Sequence, residues 1–182
     1  MTEISFFQGE LLLTAVWIAV RACVWLRQKH IDGKRELALL LMYVNLFVLI
    51  RITFFPAALS DGRVQPLIFD PEKVFPLRVN FVPFVRLLDF RYRWMMLLNV
   101  LGNVALFIPT GILMPLLWPR LDRFPRTVAA GLGLSLCIEL LQLPFYARVS
   151  DIDDLIMNTL GAAAGYGILV LARRLLKKKT DR

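Results

Sequence analysis

The sequence predicts an all-α protein, a polytopic membrane bundle of about five transmembrane helices with the N-terminus outside and the C-terminus inside. Composition is the first observation: 58% of the 182 residues are hydrophobic and the mean hydropathy is +0.62. Soluble domains have roughly 45–50% apolar residues. The second observation is that apolar runs of membrane length recur along the chain, and the third is an uneven distribution of lysine and arginine. Together they indicate an integral membrane protein.

The apolar runs define the predicted helices. Crossing a hydrocarbon core of about 30 Å takes around 20 mostly apolar residues, and a single segment satisfies its backbone there only as a helix. Five segments meet this requirement: 9–26, 37–59, 94–118, 127–147 and 154–172. The first is not expected to be a cleaved signal peptide, because no basic residue precedes Gly9 and no A-x-A-like site follows.

The spans divide the chain into three predicted parts. These are an N-terminal helix with a basic loop (1–36), a membrane domain (37–172) and a basic tail (173–182). The loop 27–36, the loop 119–126 and the tail contribute thirteen basic residues, and five spans place all three on one side. The positive-inside rule makes that side cytoplasmic.

The opposite side is then predicted to carry the N-terminus and the loops 60–93 and 147–153. The 60–93 loop has six basic residues and four acidic ones, so basic residues are not confined to the predicted cytoplasmic side. The net charge of +8 is mainly an orientation signal, and nucleic acid is not an expected partner. Five spans and the positive-inside rule together predict a multi-pass membrane protein with its C-terminus in the cytoplasm.

Two helices carry pairs of polar side chains on one face. Residues four apart in a helix lie above one another, which aligns Asn99 with Asn103 and Asp154 with Asn158. Asn99 and Asn103 are candidates for a binding site, and the alternative is a structural role in which their side chains form hydrogen bonds between helices. Gly161 continues the second stripe and begins a G-x-x-x-G pattern, which predicts close packing of the fifth helix.

Glu139 and Gln142 lie three residues apart near the end of the fourth predicted span. A carboxylate at the centre of a bilayer costs about 3 kcal/mol, so such groups are expected to face protein, water or a ligand. We predict one outward-opening cavity lined by ten ligand-binding side chains: Arg51, Asn80, Asn99, Asn103, Glu139, Gln142, Arg148, Asp151, Asp154 and Asn158.

The charged members of this set also have structural explanations. Glu139 with Arg148 or Arg51 would form a buried ion pair that fixes helix packing. Asp151 or Asp153 would cap the fifth helix from a solvated turn, because a carboxylate suits the free N–H groups and the dipole of a helix N-terminus. We expect Glu139 and Arg148 to belong, with Asp154, to one electrostatic unit.

The loop sequence RVNFVPF (78–84) mixes proline, aromatic residues and arginine. It is typical of a segment at the membrane interface, and Asn80 within it is a candidate lining residue. An extended loop packed on the helix ends is the alternative. His30, the only histidine, lies in the predicted cytoplasmic loop, which excludes histidine-based catalysis. We predict neither a metal site nor a cofactor.

Four motifs occur in a definite order along the chain: VNFVPF (79–84), NVLGNVALFIPTG (99–111), ELLQ (139–142) and RVSDIDDLIMNTLGAAAGY (148–166). This ordered set resembles the VanZ-like family of bacterial membrane proteins. The resemblance covers about residues 37–171. It implies a multi-pass protein of the bacterial plasma membrane, in a family whose named member is associated with low-level resistance to teicoplanin.

Two functional hypotheses follow. In the first, the cavity binds a membrane lipid or a lipid-linked cell-wall precursor and contributes to antibiotic tolerance without chemistry. In the second, a small membrane enzyme uses Glu139 and Asp154 as catalytic acid and base, or to hold a divalent cation, while Arg148 binds an anionic group of the substrate. The residue pattern fits both hypotheses, and it does not specify the oligomeric state.

Overall fold

Long helices dominate the structure. The computed structural model describes residues 2–28, 31–55, 62, 64–70, 72, 75, 79–83, 93–146 and 148–180. Within these residues there are five long helices: α1 (Phe6–Arg27), α2 (Gly33–Phe54), α3 (Arg93–Leu117), α4 (Phe124–Gln142) and α5 (Ile152–Thr180). Each is long and apolar enough to cross a membrane. The predicted all-α membrane class is confirmed, whereas the orientation of the termini stays a prediction.

The helix ends differ from the predicted spans by several residues. α1 begins earlier, at Phe6, because Ser5 and Gln8 form a capping box at its N-terminus. α2 begins at Gly33, after Asp32, whose side chain accepts a hydrogen bond from the Lys34 N–H. Residues 56–59 of the second predicted span lie outside the described residues.

α5 continues to Thr180, well past the predicted limit at residue 172. The added residues are mostly leucine, lysine and arginine, which are strong helix formers, and basic side chains suit the negative end of the helix dipole. Hydropathy detects only the part of a helix that suits lipid, and it therefore ends the helix too early.

Short strands and one 3₁₀ helix complete the described structure. The 3₁₀ helix is Pro119–Leu121, and the strands are β1 (Thr2–Ile4), β2 (Leu67–Phe69), β3 (Val79–Asn80) and β4 (Ser150–Asp151). β1 pairs antiparallel with β2, and β3 pairs with β4. The sequence did not predict these strands because they have two or three residues each, too few to show an alternating pattern.

The chain forms two compact units. The first comprises Met1–Val79 and Leu140–Ser150, and the second comprises Asn80–Glu139 and Asp151–Arg182. The first unit therefore contains α1, α2 and the last turn of α4. The three-part division predicted from the sequence stays a prediction.

Aromatic side chains hold the helices of the first unit together. The rings of Trp17 on α1 and Tyr43 on α2 have centroids 4.9 Å apart, and Phe6 meets Phe55 edge-on at 5.4 Å. Arg21 on α1 forms an ion pair with Glu36 on α2. Offset and edge-to-face ring contacts add to the burial of apolar area, so these pairs fix the packing of α1 on α2.

Glycines bring two helices of the second unit into close contact. A Cβ atom built at Gly161 would collide with the Val104 carbonyl oxygen of α3, and one at Gly165 with the Ile108 carbonyl oxygen. Between these glycines on α5, the Ala162 side chain is fully buried. The predicted close packing through the G-x-x-x-G pattern is confirmed, and its partner is α3.

Candidate functional site

The ten predicted site residues divide between the two compact units. The first unit holds Arg51, Gln142 and Arg148. The second holds the other seven: Asn80, Asn99, Asn103, Glu139, Asp151, Asp154 and Asn158. In each unit, all of these residues except Asn99 lie together at a helix end.

The larger group surrounds the start of α5. A Glu139 Oε atom accepts a hydrogen bond of 2.9 Å from the Asp151 N–H. The Asp151 carboxylate accepts one of 3.1 Å from the Asp153 N–H and longer ones, of 3.2 and 3.4 Å, from the Asn80 amide. Glu139, Asp151 and Asp153 are all less than 9% exposed. Asp151 is thus a buried N-cap of α5 that also holds the β3 segment through Asn80.

Two further hydrogen bonds extend this group along α5. Asn103 on α3 donates a bond of 2.5 Å to Asp154, and Asn158 donates one of 2.9 Å to the Ser135 hydroxyl on α4. Both Asn158 and Ser135 are buried. We call these residues the α5 N-terminal cluster: Asn80, Asn103, Ser135, Glu139, Asp151, Asp153, Asp154 and Asn158.

Burial of the cluster corrects one expectation. The solvated turn is wrong for Asp151 and Asp153, which are 8% and 5% exposed. The capping role of Asp151 is confirmed. A buried carboxylate needs hydrogen-bond donors, and here they come from the Asp153 backbone and the Asn80 side chain. The negative charge also lies at the positive end of the α5 dipole, which stabilises it.

Asn99 is not part of the cluster. Its side chain is exposed, while Asn103, one turn later, is half-buried against α5. Ser135, by contrast, belongs to the cluster and is completely buried, but it was not among the predicted site residues. The sequence does contain a spacing that indicates Ser135, because it lies four residues before Glu139 and therefore on the same face of α4. Serine is common in membrane helices, so this spacing alone was easily overlooked.

The smaller group lies at the end of α2 in the first unit. Gln142 donates a hydrogen bond of 2.9 Å to the Thr53 carbonyl, and Arg148 donates one of 2.7 Å to the Phe54 carbonyl. Arg51 donates to the carbonyl of Phe55. The last carbonyls of a helix lack intrahelical partners and carry the negative end of the dipole. These three side chains therefore form a C-terminal cap of α2.

Arg148 is held in a desolvated position by this cap. Burial lowers the pKa of its guanidinium from the usual arginine value. Its Nε atom is buried without a hydrogen-bond partner in the described part of the chain. An anion bound at Arg148 would have to share the guanidinium with the Phe54 carbonyl, and this binding role stays a prediction.

The described residues contain no group of three or more histidine, cysteine, aspartate or glutamate side chains that could hold a metal ion. The carboxylates of Glu139, Asp151 and Asp154 instead accept hydrogen bonds from backbone and amide N–H groups.

Comparison with known proteins identifies the family. The family model described as VanZ/LLP1 matches residues 38–173, most of the chain. The chain belongs to the VanZ/LLP1 family. The resemblance predicted from the ordered motifs is confirmed, and with five membrane-length helices this VanZ/LLP1 protein is a multi-pass membrane protein.

One curated relative shows the degree of similarity. This VanZ/LLP1 protein is 32% identical over 105 residues to Protein VanZ of Enterococcus faecium. The match covers 57% of the present chain and 60% of that relative, so less than two thirds of the relative's length is spanned. No solved structure matches this chain. Both polar groups described above lie within the region that the family model matches.

Proposed function

We propose that this protein binds a membrane lipid or a lipid-linked cell-wall precursor in the bacterial plasma membrane and thereby contributes to teicoplanin tolerance. The observation that carries the proposal is the α5 N-terminal cluster, in which carboxylates and amides from three membrane-length helices meet among buried residues. Ionisable side chains at membrane depth are costly and are usually retained for function.

The chemistry of the cluster indicates what the ligand offers. Glu139, Asp151 and Asp154 supply acceptor oxygens, and the amides of Asn80 and Asn103 supply both donors and acceptors. Hydroxyl, amide and ammonium groups of a glycosylated or peptide-bearing headgroup are complementary to this set. The predicted orientation places the start of α5 at the outer face, where such headgroups are exposed.

Teicoplanin differs from vancomycin in a way that suits a membrane protein. Teicoplanin carries an acyl tail that engages the bilayer, whereas vancomycin has none. Each buried methylene contributes about 0.8 kcal/mol to membrane association. A protein that changes the placement of ligands at the membrane surface would therefore affect the tailed drug more than the other.

Drug susceptibility in a Gram-positive host tests this proposal. Production of the protein should raise the minimum inhibitory concentration of teicoplanin several-fold more than that of vancomycin. Glu139→Gln, which removes the negative charge of the cluster residue, and Arg148→Ala should abolish the effect at equal protein level. Asp122→Asn, a change at a partly exposed residue in the same unit as Glu139, serves as the matched control and should retain the effect.

Two outcomes would contradict the proposal. Equal protection against both drugs would indicate a general envelope role, because the acyl tail would then be irrelevant. Full protection by Glu139→Gln and Arg148→Ala would show that the polar groups are not used.

The enzyme hypothesis, with Glu139 and Asp154 as acid and base, rests on the presence of two carboxylates in one cluster. Each accepts a hydrogen bond from an N–H donor, the Asp151 backbone or the Asn103 amide. A general acid has to donate a proton, whereas both carboxylates act as acceptors here, so the geometry favours binding. If the pure protein turned over a lipid-linked precursor and Glu139→Gln did not, the enzyme hypothesis would be favoured over binding.

A further inference from the structure

Glu10 is a buried acidic residue that neither polar group includes. It lies in the second turn of α1, a helix of membrane length. Its side chain is 6% exposed, and both carboxyl oxygens are buried without a hydrogen-bond partner among the described residues. Glu10 precedes residue 38, where the family match begins, so the family relationship assigns it no role.

The surroundings of Glu10 offer one charged group. Arg51 on α2 interacts electrostatically with Glu10, but its Nη1 atom donates to the Phe55 carbonyl. The Arg51 guanidinium also lies 5.3 Å from the centre of the Phe6 ring. Arg51 therefore interacts electrostatically with Glu10 but donates its hydrogen bond to the Phe55 carbonyl.

The other groups near Glu10 are hydroxyl groups and an aromatic ring. The Thr14 hydroxyl donates a hydrogen bond of 2.7 Å to the Glu10 backbone carbonyl. The same hydroxyl lies 2.8 Å from the hydroxyl of Tyr43, which, after Arg51, is the other titratable side chain near Glu10. The ring of Phe55 lies 3.5 Å from a Cβ atom built at Gly9. None of these contacts supplies a donor to the Glu10 carboxyl oxygens.

An ionised carboxylate without hydrogen bonds is far more costly to bury than a neutral carboxylic acid. We propose that Glu10 is a proton-binding site in the α1–α2 pair, occupied by a proton in the described arrangement and coupled to Arg51. When the O–H bond of Glu10 breaks, the proton passes to water and the electron pair stays on the carboxylate. The Arg51 guanidinium then leaves the Phe55 carbonyl and pairs with Glu10.

This site has a direct consequence for α2. The same Arg51 side chain belongs to the C-terminal cap of α2, so its movement would free the Phe55 carbonyl. Proton binding at Glu10 would thus determine whether this cap is complete. The proposal is independent of drug tolerance, because it concerns the protonation state of one residue.

Infrared spectroscopy of the full-length protein in lipid nanodiscs tests the proposal. The C=O stretch of a protonated carboxyl group should be present at neutral pH and should be lost in Glu10→Gln. Glu36→Gln is the matched control, because Glu36 forms an ion pair with Arg21 between the same two helices. That control should leave the band unchanged.

A second measurement covers the case in which Glu10→Gln does not fold. Wild-type protein labelled with ¹³C-glutamate should show the same band shifted to lower frequency. Treatment with a hydrophobic carbodiimide, which modifies protonated carboxyl groups in membranes, should label Glu10 and spare Glu36. A band that persists in Glu10→Gln, or a wild-type spectrum without a glutamic acid C=O band at neutral pH, would overturn the proposal.

Discussion

At the scale of single residues, the partner of each polar side chain determines its role. Glu139 was a candidate for an ion pair with arginine, and the structure shows it accepting a hydrogen bond from the Asp151 backbone. Arg148 was a candidate anion binder, and the structure shows it donating to the Phe54 carbonyl. In both cases a backbone group at a helix end is a partner, because these groups lack intrahelical bonds.

The bond between Glu139 and Asp151 leads to a stability prediction. Glu139→Ala leaves the Asp151 N–H without this acceptor among buried residues and should lower the free energy of unfolding by about 1–3 kcal/mol. Glu139→Gln retains a carbonyl oxygen and should lose less. The measurement is reversible unfolding in mixed micelles.

The comparison variant for this prediction is Asp122→Ala. It removes an ion pair with Arg173 in which the side chains are 32% and 42% exposed. Exposed pairs contribute about 0–1 kcal/mol, so this variant should be nearly as stable as the wild type. Equal losses for Glu139→Ala and Asp122→Ala would refute the assigned role of Glu139.

At the scale of elements, the contact between α3 and α5 organises the second unit. Gly161 and Gly165 allow the backbone of α5 to approach the carbonyl groups of α3. The same approach brings Asp154 on α5 within hydrogen-bond distance of Asn103 on α3. Helix packing and the polar cluster therefore depend on each other, and a change that separates the helices should weaken both.

Two glycines on α5 provide a matched test of this contact. Gly165→Ala would place a methyl group against the Ile108 carbonyl and should destabilise the protein by about 1–3 kcal/mol, the usual cost of overpacking. Gly167 has nothing within 4 Å of a built Cβ and is exposed, so Gly167→Ala should be neutral or slightly stabilising. Melting temperatures in detergent distinguish the two variants. Similar melting temperatures for both would show that α3 and α5 are not closely packed.

At the scale of the whole molecule, orientation in the membrane remains to be measured. Thirteen basic residues in the loops 27–36 and 119–126 and the tail 173–182 predict that these segments are cytoplasmic. Green fluorescent protein fused after residue 182 should therefore fluoresce, and alkaline phosphatase at that position should be inactive. An active phosphatase there would reverse the topology and place the start of α5 on the inner side.

The site was only partly predictable. Asn103 and Asp154 were both placed in the predicted site, since each lies on a polar helix face, but the bond between them was not predicted. The pairing of Asn158 with Ser135 and the capping of α2 by Arg148 could not be predicted, because both depend on the rotation of one helix against another or on a turn after α4. Glu10, at the start of the first predicted span, was not singled out, because its burial depends on the packing of α1 and not on the local sequence.

The sequence by itself determined the membrane class, the number of spans and the family. These properties follow from local hydropathy, from the need to satisfy the backbone within lipid and from the order of short motifs. Only the tertiary structure decided which acceptors the arginines reach, which carboxylates are buried and which side chains the close contact of α3 and α5 brings together. The physical reason is that burial and hydrogen bonding depend on helix rotation and separation, which are set by packing between distant segments rather than by the residues of one segment.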